Sequence, residues 1–152
     1  MQTQLEARIK NTPAGEEADA ILRSCVHCGF CLATCPTYQL LGDELDSPRG
    51  RIYLIKQLLE GAAPTQKTQQ HLDRCLTCRA CETTCPSGVQ YGRLLDIGRL
   101  KVEQQVERRL HMRLFRYGLR KILPNRWIFA TLMAVARIAR PLMPTKLKKS
   151  IP

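Results

Sequence analysis

The chain has 152 residues, enough for one ordinary domain and an extension. Hydrophobic residues make up 44% and aromatics only 5%, so it can bury a core, but a modest one. No run reaches the roughly 18 apolar residues of a membrane-crossing helix, and the formal charge of +11 is unevenly spread.

Residues 1–110 carry 14 Lys+Arg against 13 Asp+Glu, whereas residues 111–152 carry 10 Lys+Arg and no acid. This composition shift is the clearest boundary in the sequence. It suggests an N-terminal arm or helix over 1–20, a cysteine-bearing domain over 21–110 and a basic helical extension over 111–152. The opening MQTQLEARIKNTPAGEEADA is polar and lacks the apolar core of a secretory signal, so a reducing cytoplasm is expected. In that compartment eight cysteines point away from disulfides and toward metal or redox chemistry.

CVHCGFCLATCP follows at 25–36, and CLTCRACETTCP repeats it at 75–86. Every cysteine recurs at an offset of 50: Cys25/Cys75, Cys28/Cys78, Cys31/Cys81 and Cys35/Cys85. Between the motifs, Asp43, Glu44 and Asp46 read as a solvated loop. SPRGRIYLIKQLLEG then reads as a helix, with Ser47 as N-cap, Pro48 in the first turn, Ile52, Ile55, Leu58 and Leu59 on one face, and Gly61 as its stop. Arg49 and Arg51 lie near the helix start, where cations oppose its dipole. They are candidates for offsetting negative charge at the cysteine motifs or contacting a partner. TQKTQQHLDR reads as a short surface helix. After the second motif, Leu95, Gly98, Val102, Val106 and Leu110 form one helical stripe. No period-2 strand is visible, so the expected fold is all-α: a helical domain with two pseudo-repeated cysteine motifs, then the basic helical extension.

C-x2-C-x2-C-x3-C-P is bacterial iron–sulfur spacing, and in two-cluster proteins the fourth cysteine ligates the other cluster. Cys25, Cys28, Cys31 and Cys85 are therefore expected on one [4Fe–4S] cluster, and Cys75, Cys78, Cys81 and Cys35 on the second. Structural zinc usually takes two separated pairs of ligands, which two Cys triplets each followed by Cys-Pro do not supply. A zinc module binding anionic partners is the alternative of another class. With all eight ligand places filled by cysteine, His27 is expected beside a cluster or at the surface, and His71 and His111 carry no signal. Four thiolates per cluster leave no iron open to substrate, so the expected role is electron transfer, with no catalytic residue in the chain.

CVHCGFCLATCPTYQLLGDELDSPRGRIYLIKQ, with HLDRCLTCRACETTCPSGVQYGRLLDIGR, resembles the iron–sulfur subunit of bacterial glycolate oxidase (glycolate dehydrogenase). The resemblance covers essentially the whole chain, less firmly in the tail. It implies a helical ferredoxin domain and, as partners, FAD-containing subunits that oxidise glycolate to glyoxylate. Electrons would pass through both clusters toward a quinone or respiratory acceptor. Equivalent subunits of lactate, glycerol-3-phosphate or heterodisulfide-reductase-like complexes are the near alternatives. The family continues into two cysteine-rich domains with CCG motifs, which have no counterpart in these 152 residues.

In the tail, two helical runs are divided by Pro124-Asn125. Arg113, Arg116 and Arg120 oppose Leu114, Phe115, Leu119 and Ile122 in the first. Ile128, Leu132, Val135 and Ala139 oppose Arg126, Arg137 and Arg140 in the second, followed by Pro141, Pro144, Lys146, Lys148 and Lys149. A connecting helix pair is the plain reading. Peripheral association with the inner face of the cytoplasmic membrane is the functional one. No fold motif or aromatic-studded strand supports nucleic-acid binding.

Overall fold

The fold is that of a computed structural model, described here over residues 1–139. Arg140, Pro141, Pro144, Lys146, Lys148 and Lys149 lie outside the described residues. Among the described residues there is no strand, as the all-α expectation requires. The helices are α1 (Ala7–Lys10), α2 (Pro13–Ser24), α3 (Pro36–Leu41), α4 (Pro48–Leu59), α5 (Gln66–Asp73), α6 (Ala80–Thr83), α7 (Tyr91–Gln105), α8 (Leu110–Ile122) and α9 (Arg126–Ala139). Short 3-10 turns occupy Phe30–Leu32 and Glu44–Asp46. No described helix is long and apolar enough to cross a membrane.

Local chemistry starts these helices where the sequence marks them. Proline opens α2, α3 and α4, where its missing N–H costs nothing. Ser47 Oγ accepts from Gly50 N at 2.9 Å, and Thr12 Oγ1 accepts from Gly15 N at 3.1 Å. Thr65 and Thr68 cap the start of α5 reciprocally. Gly61, at φ +100, follows the last turn of α4 as its stop.

The chain divides into two compact units, residues 1–107 and a second from Arg108 onward. In the first, α4 and α7 form the central pair, flanked by α2 and α5. Leu22, Ile55, Leu59, Leu72, Leu94, Leu95 and Val102 are fully or almost fully buried between them. Each such side chain removed from water contributes about 1.5–3 kcal/mol. Gly98 lets α7 approach α4: a Cβ there would lie 2.6 Å from Ile55 Cγ1. The expected stripe on α7 holds through Val106 and then breaks. Val106 turns to an extended conformation, and Leu110 instead opens α8, 69% exposed.

In the second unit, α8 and α9 are separated at Leu123-Pro124-Asn125, where Asn125 Oδ1 accepts from Trp127 N and Ile128 N. The described part of this unit has no buried residue. Trp127, Phe115, Leu114 and Val135 are all more than 60% exposed. Arg126 lies over the Trp127 ring at 4.7 Å from its centre.

Candidate metal centre

Each motif is a loop between helices, and the two loops share a backbone pattern. Cys25 follows the last turn of α2; Cys75 follows Arg74 at the end of α5. Two left-handed residues then curl the chain: His27 (φ 56) and Gly29 (φ 86) in the first, Thr77 (φ 54) and Arg79 (φ 59) in the second. These are the same positions at the offset of 50. A left-handed residue other than glycine costs roughly 1–2 kcal/mol. Repeating that cost in both loops fits a backbone bent to bring its cysteines round one centre. A single helical turn follows and carries Cys31 or Cys81. Cys35 then caps α3, with Pro36 starting the helix.

The loops bring together residues of both motifs. One hollow of about 430 Å³, open mouth included, is lined by Cys25, Cys28, Cys31 and Cys85, with His27, Arg49, Ser87 and Cys81 in its wall. The second, of about 310 Å³, is lined by Cys35, Cys75, Cys78 and Cys81, with Thr37, Arg51 and Arg79. Cys81, Pro48 and Tyr91 line both, so one thin wall separates them. Cys28 and Cys78 are exposed, while Cys25, Cys35 and Cys81 are buried.

The electrostatics of both hollows favour a cation among the sulfurs. Burial pushes the Cys81 thiol up to about 12, and the neighbouring Cys75 and Cys31 add to it. Burial likewise raises the Cys31 thiol, with Cys25, Cys28 and Cys85 contributing in the same direction. Thiols so crowded keep their protons until a metal displaces them. Four soft donors around each hollow fit iron–sulfur ligation, and the donor set holds no carboxylate of the kind that a hard cation would want.

Two expectations are corrected by tertiary packing. Asp46 is not solvated: it is fully buried with Arg51, which sits 3.3 Å from its Oδ1. His71, which carried no signal, places Nδ1 3.0 Å from the same oxygen, and Arg74 NH1 lies 2.7 Å from Oδ2. Arg51 also donates to His71 O at 2.7 Å and to Thr37 Oγ1 at 3.1 Å. It is thus a core ion beneath the second hollow, whereas Arg49 stays half-buried beside the first, paired with Glu44 at 2.7 Å. His27 lines the first hollow, and its buried Nε2 has no hydrogen-bond partner.

Other groups that hold the loops carried no visible signal in the sequence. Arg99 donates to Leu72 O and Cys75 O at 2.9 and 2.8 Å, fixing the entry to the second loop from α7. The Glu82 carboxylate accepts from Gly92 N at 2.5 Å, at the start of α7. Thr37 could have been found by the repeat itself, since Cys35-Pro36-Thr37 matches Cys85-Pro86-Ser87.

Among the described residues, an all-helical frame with eight thiols around two adjoining hollows has the make-up of an iron–sulfur protein. Residues 21–89 match the 4Fe-4S dicluster domain. It is 61% identical over all 152 residues to the glycolate oxidase iron-sulfur subunit of Escherichia coli (strain K12), spanning 37% of that protein. It is 46% identical over 97 residues to the probable glycolate oxidase iron-sulfur subunit of Bacillus subtilis (strain 168), covering 62% of this chain and 22% of that protein. One component of the dihydromethanophenazine:CoB–CoM heterodisulfide reductase of Methanosarcina mazei is 32% identical over 84 residues, covering 45% of this chain and 20% of that protein. The chain therefore spans 37% and 22% of the lengths of the two curated relatives it matches first. No solved structure matches it.

Proposed function

We propose that the chain is the electron-transfer part of a flavin-dependent glycolate dehydrogenase that oxidises glycolate to glyoxylate. In this reading Cys25, Cys28, Cys31 and Cys85 hold one [4Fe–4S] cluster, and Cys75, Cys78, Cys81 and Cys35 hold the second. When bound, the clusters supply single-electron chemistry, accepting electrons from an FAD-containing subunit and passing them toward a quinone or respiratory acceptor. The protein's part is to hold eight thiolates, to leave no ligand place for substrate and to keep the two sites one wall apart. The observation that carries this reading is the sharing: Cys85 lines a hollow with the first three cysteines of the other motif, and Cys35 does the same in return. The 61% identity to a glycolate oxidase subunit supports glycolate over lactate or glycerol 3-phosphate. The heterodisulfide reductase relative covers less than half of the chain at 32% identity and gives that alternative weak support.

The test is anaerobic purification with iron and sulfide analysis, followed by mixing with the flavoprotein and a 2-hydroxy acid. About eight irons per chain are expected for two four-iron clusters. Bleaching of the clusters by glycolate, and not by lactate or glycerol 3-phosphate, is expected only in the presence of the flavoprotein. Stoichiometric zinc, or bleaching by another substrate alone, overturns the reading. The proposal extends to location: a complex in the cytoplasm, peripheral at the inner membrane face through residues 111–152. The acid-free, apolar-studded helices α8 and α9 support it.

A further inference from the structure

The two hollows are related by the repeat, but their ligand sulfurs do not have the same surroundings. In the second hollow, Tyr91 Oη lies 3.5 Å from Cys75 Sγ and donates to it. Tyr91 is 4% exposed. Thr37 Oγ1 lies 3.2 Å from Cys35 Sγ and 2.9 Å from Asp46 O. Arg51 NH1 occupies an acceptor site of the same hydroxyl at 3.1 Å, and the Arg51 side chain is wholly buried. The single Thr37 proton therefore has two places to go, Asp46 O or Cys35 Sγ. A charged thiolate is the stronger acceptor, since hydrogen bonds to ionised groups are about twice as strong as neutral ones.

The matching positions in the first hollow offer neither contact. Ser87, at the place of Thr37, makes no hydrogen bond to a cysteine sulfur among the described residues. Leu41, at the place of Tyr91, is 52% exposed. We propose that Thr37, oriented by buried Arg51, and Tyr91 are positioning residues that together raise the reduction potential of the cluster held by Cys35, Cys75, Cys78 and Cys81, and not that of the other. Hydrogen bonds to ligand sulfur favour the more negative, reduced form, and so raise the potential. The inference rests on the crossed ligand sets proposed above. It also adds a condition to them, because Thr37 touches Cys35 of the first motif and Tyr91 touches Cys75 of the second.

The test is a potentiometric titration of the anaerobically loaded full chain, followed by electron paramagnetic resonance. Iron and sulfide content is measured first; a wild-type chain without two clusters would fail the proposed function, and this inference would fall with it. With both present, Thr37→Val and Tyr91→Phe are each expected to lower the same reduction step and leave the other in place. Thr37→Ser, which keeps the hydroxyl, is expected to restore the wild-type position of that step. Shifts on different steps would show that Cys35 and Cys75 serve different clusters and overturn the inference. So would equal shifts of both steps, or none. Iron loss in Tyr91→Phe would also overturn it, since the hydroxyl would then hold the site rather than tune it.

Discussion

At Asp46 one fully buried carboxylate meets Arg51, Arg74 and His71, drawn from α4, the end of α5 and α5 itself. Burial pushes its carboxyl up, but hydrogen bonds from His71 and Arg74 outweigh that and hold it below the ordinary value. A depressed carboxyl contributes stability above its unfolded value of about 3.9 and loses it as pH falls through the lower folded value. The contribution is thus complete at neutral pH and withdrawn only in acid. Asp46→Ala would leave Arg51 charged and buried without its carboxylate, which costs about 3–5 kcal/mol. Anaerobic urea unfolding followed by circular dichroism should show a midpoint lowered accordingly; a change within about 0.5 kcal/mol, as for ordinary surface positions, would mean the network is solvated. This network was not legible in the sequence, for a physical reason. Asp43, Glu44 and Asp46 look alike in a turn, and only the closure of α4 and α5 over one of them separates the buried Asp46 from exposed Asp43 and half-buried Glu44. The eight cysteines were legible because their chemistry depends on local spacing, which the sequence states directly.

Among the elements, α4 and α7 set the distance between the walls of both hollows, since Pro48 comes from one and Tyr91 from the other. Their separation is fixed at Gly98, where α7 meets Ile55 of α4. Gly98→Ala would place a Cβ 2.6 Å from Ile55 Cγ1, and a branched side chain in a packed core has no cheap retreat. Overpacking of this kind costs about 1–3 kcal/mol. The expected result is a lower melting temperature with a lowered yield of bound iron, and partial recovery of both in Gly98→Ala with Ile55→Val. Recovery of neither would place the strain elsewhere. The Gly98 position was legible as part of an apolar stripe, and so were the caps at Ser47 and Pro48. The end of α7 was not: periodicity carried the stripe on to Leu110, but the backbone turns extended at Val106. Helix periodicity reports which residues would share a face if the helix continued, and gives no information on where tertiary packing stops it.

At the scale of the whole chain, the buried side chains described above and both hollows belong to residues 1–107, while α8 buries none of its residues. Shared cysteines would add to that unit's independence. Cys35 and Cys75 are 40 residues apart, and a cross-link closing a loop of that size is worth about 4 kcal/mol through the unfolded chain. A chain ended after Glu107 should therefore fold and load as much iron per chain as the full one. Its charge changes sharply: 12 Lys+Arg against 13 Asp+Glu gives −1, in place of +11. Each cluster with four thiolates adds roughly −2 more. The full chain should sediment with vesicles containing anionic lipid at low salt and be released as salt screens the Arg and Lys side chains. The shortened chain should stay in solution at every salt concentration, with its iron intact. Equal sedimentation of both would move the membrane contact to residues 1–107, and loss of iron on shortening would show that the second unit helps to close the metal sites. The two readouts separate the roles that composition suggested at the outset, because the acid-free segment can be removed without touching any cysteine.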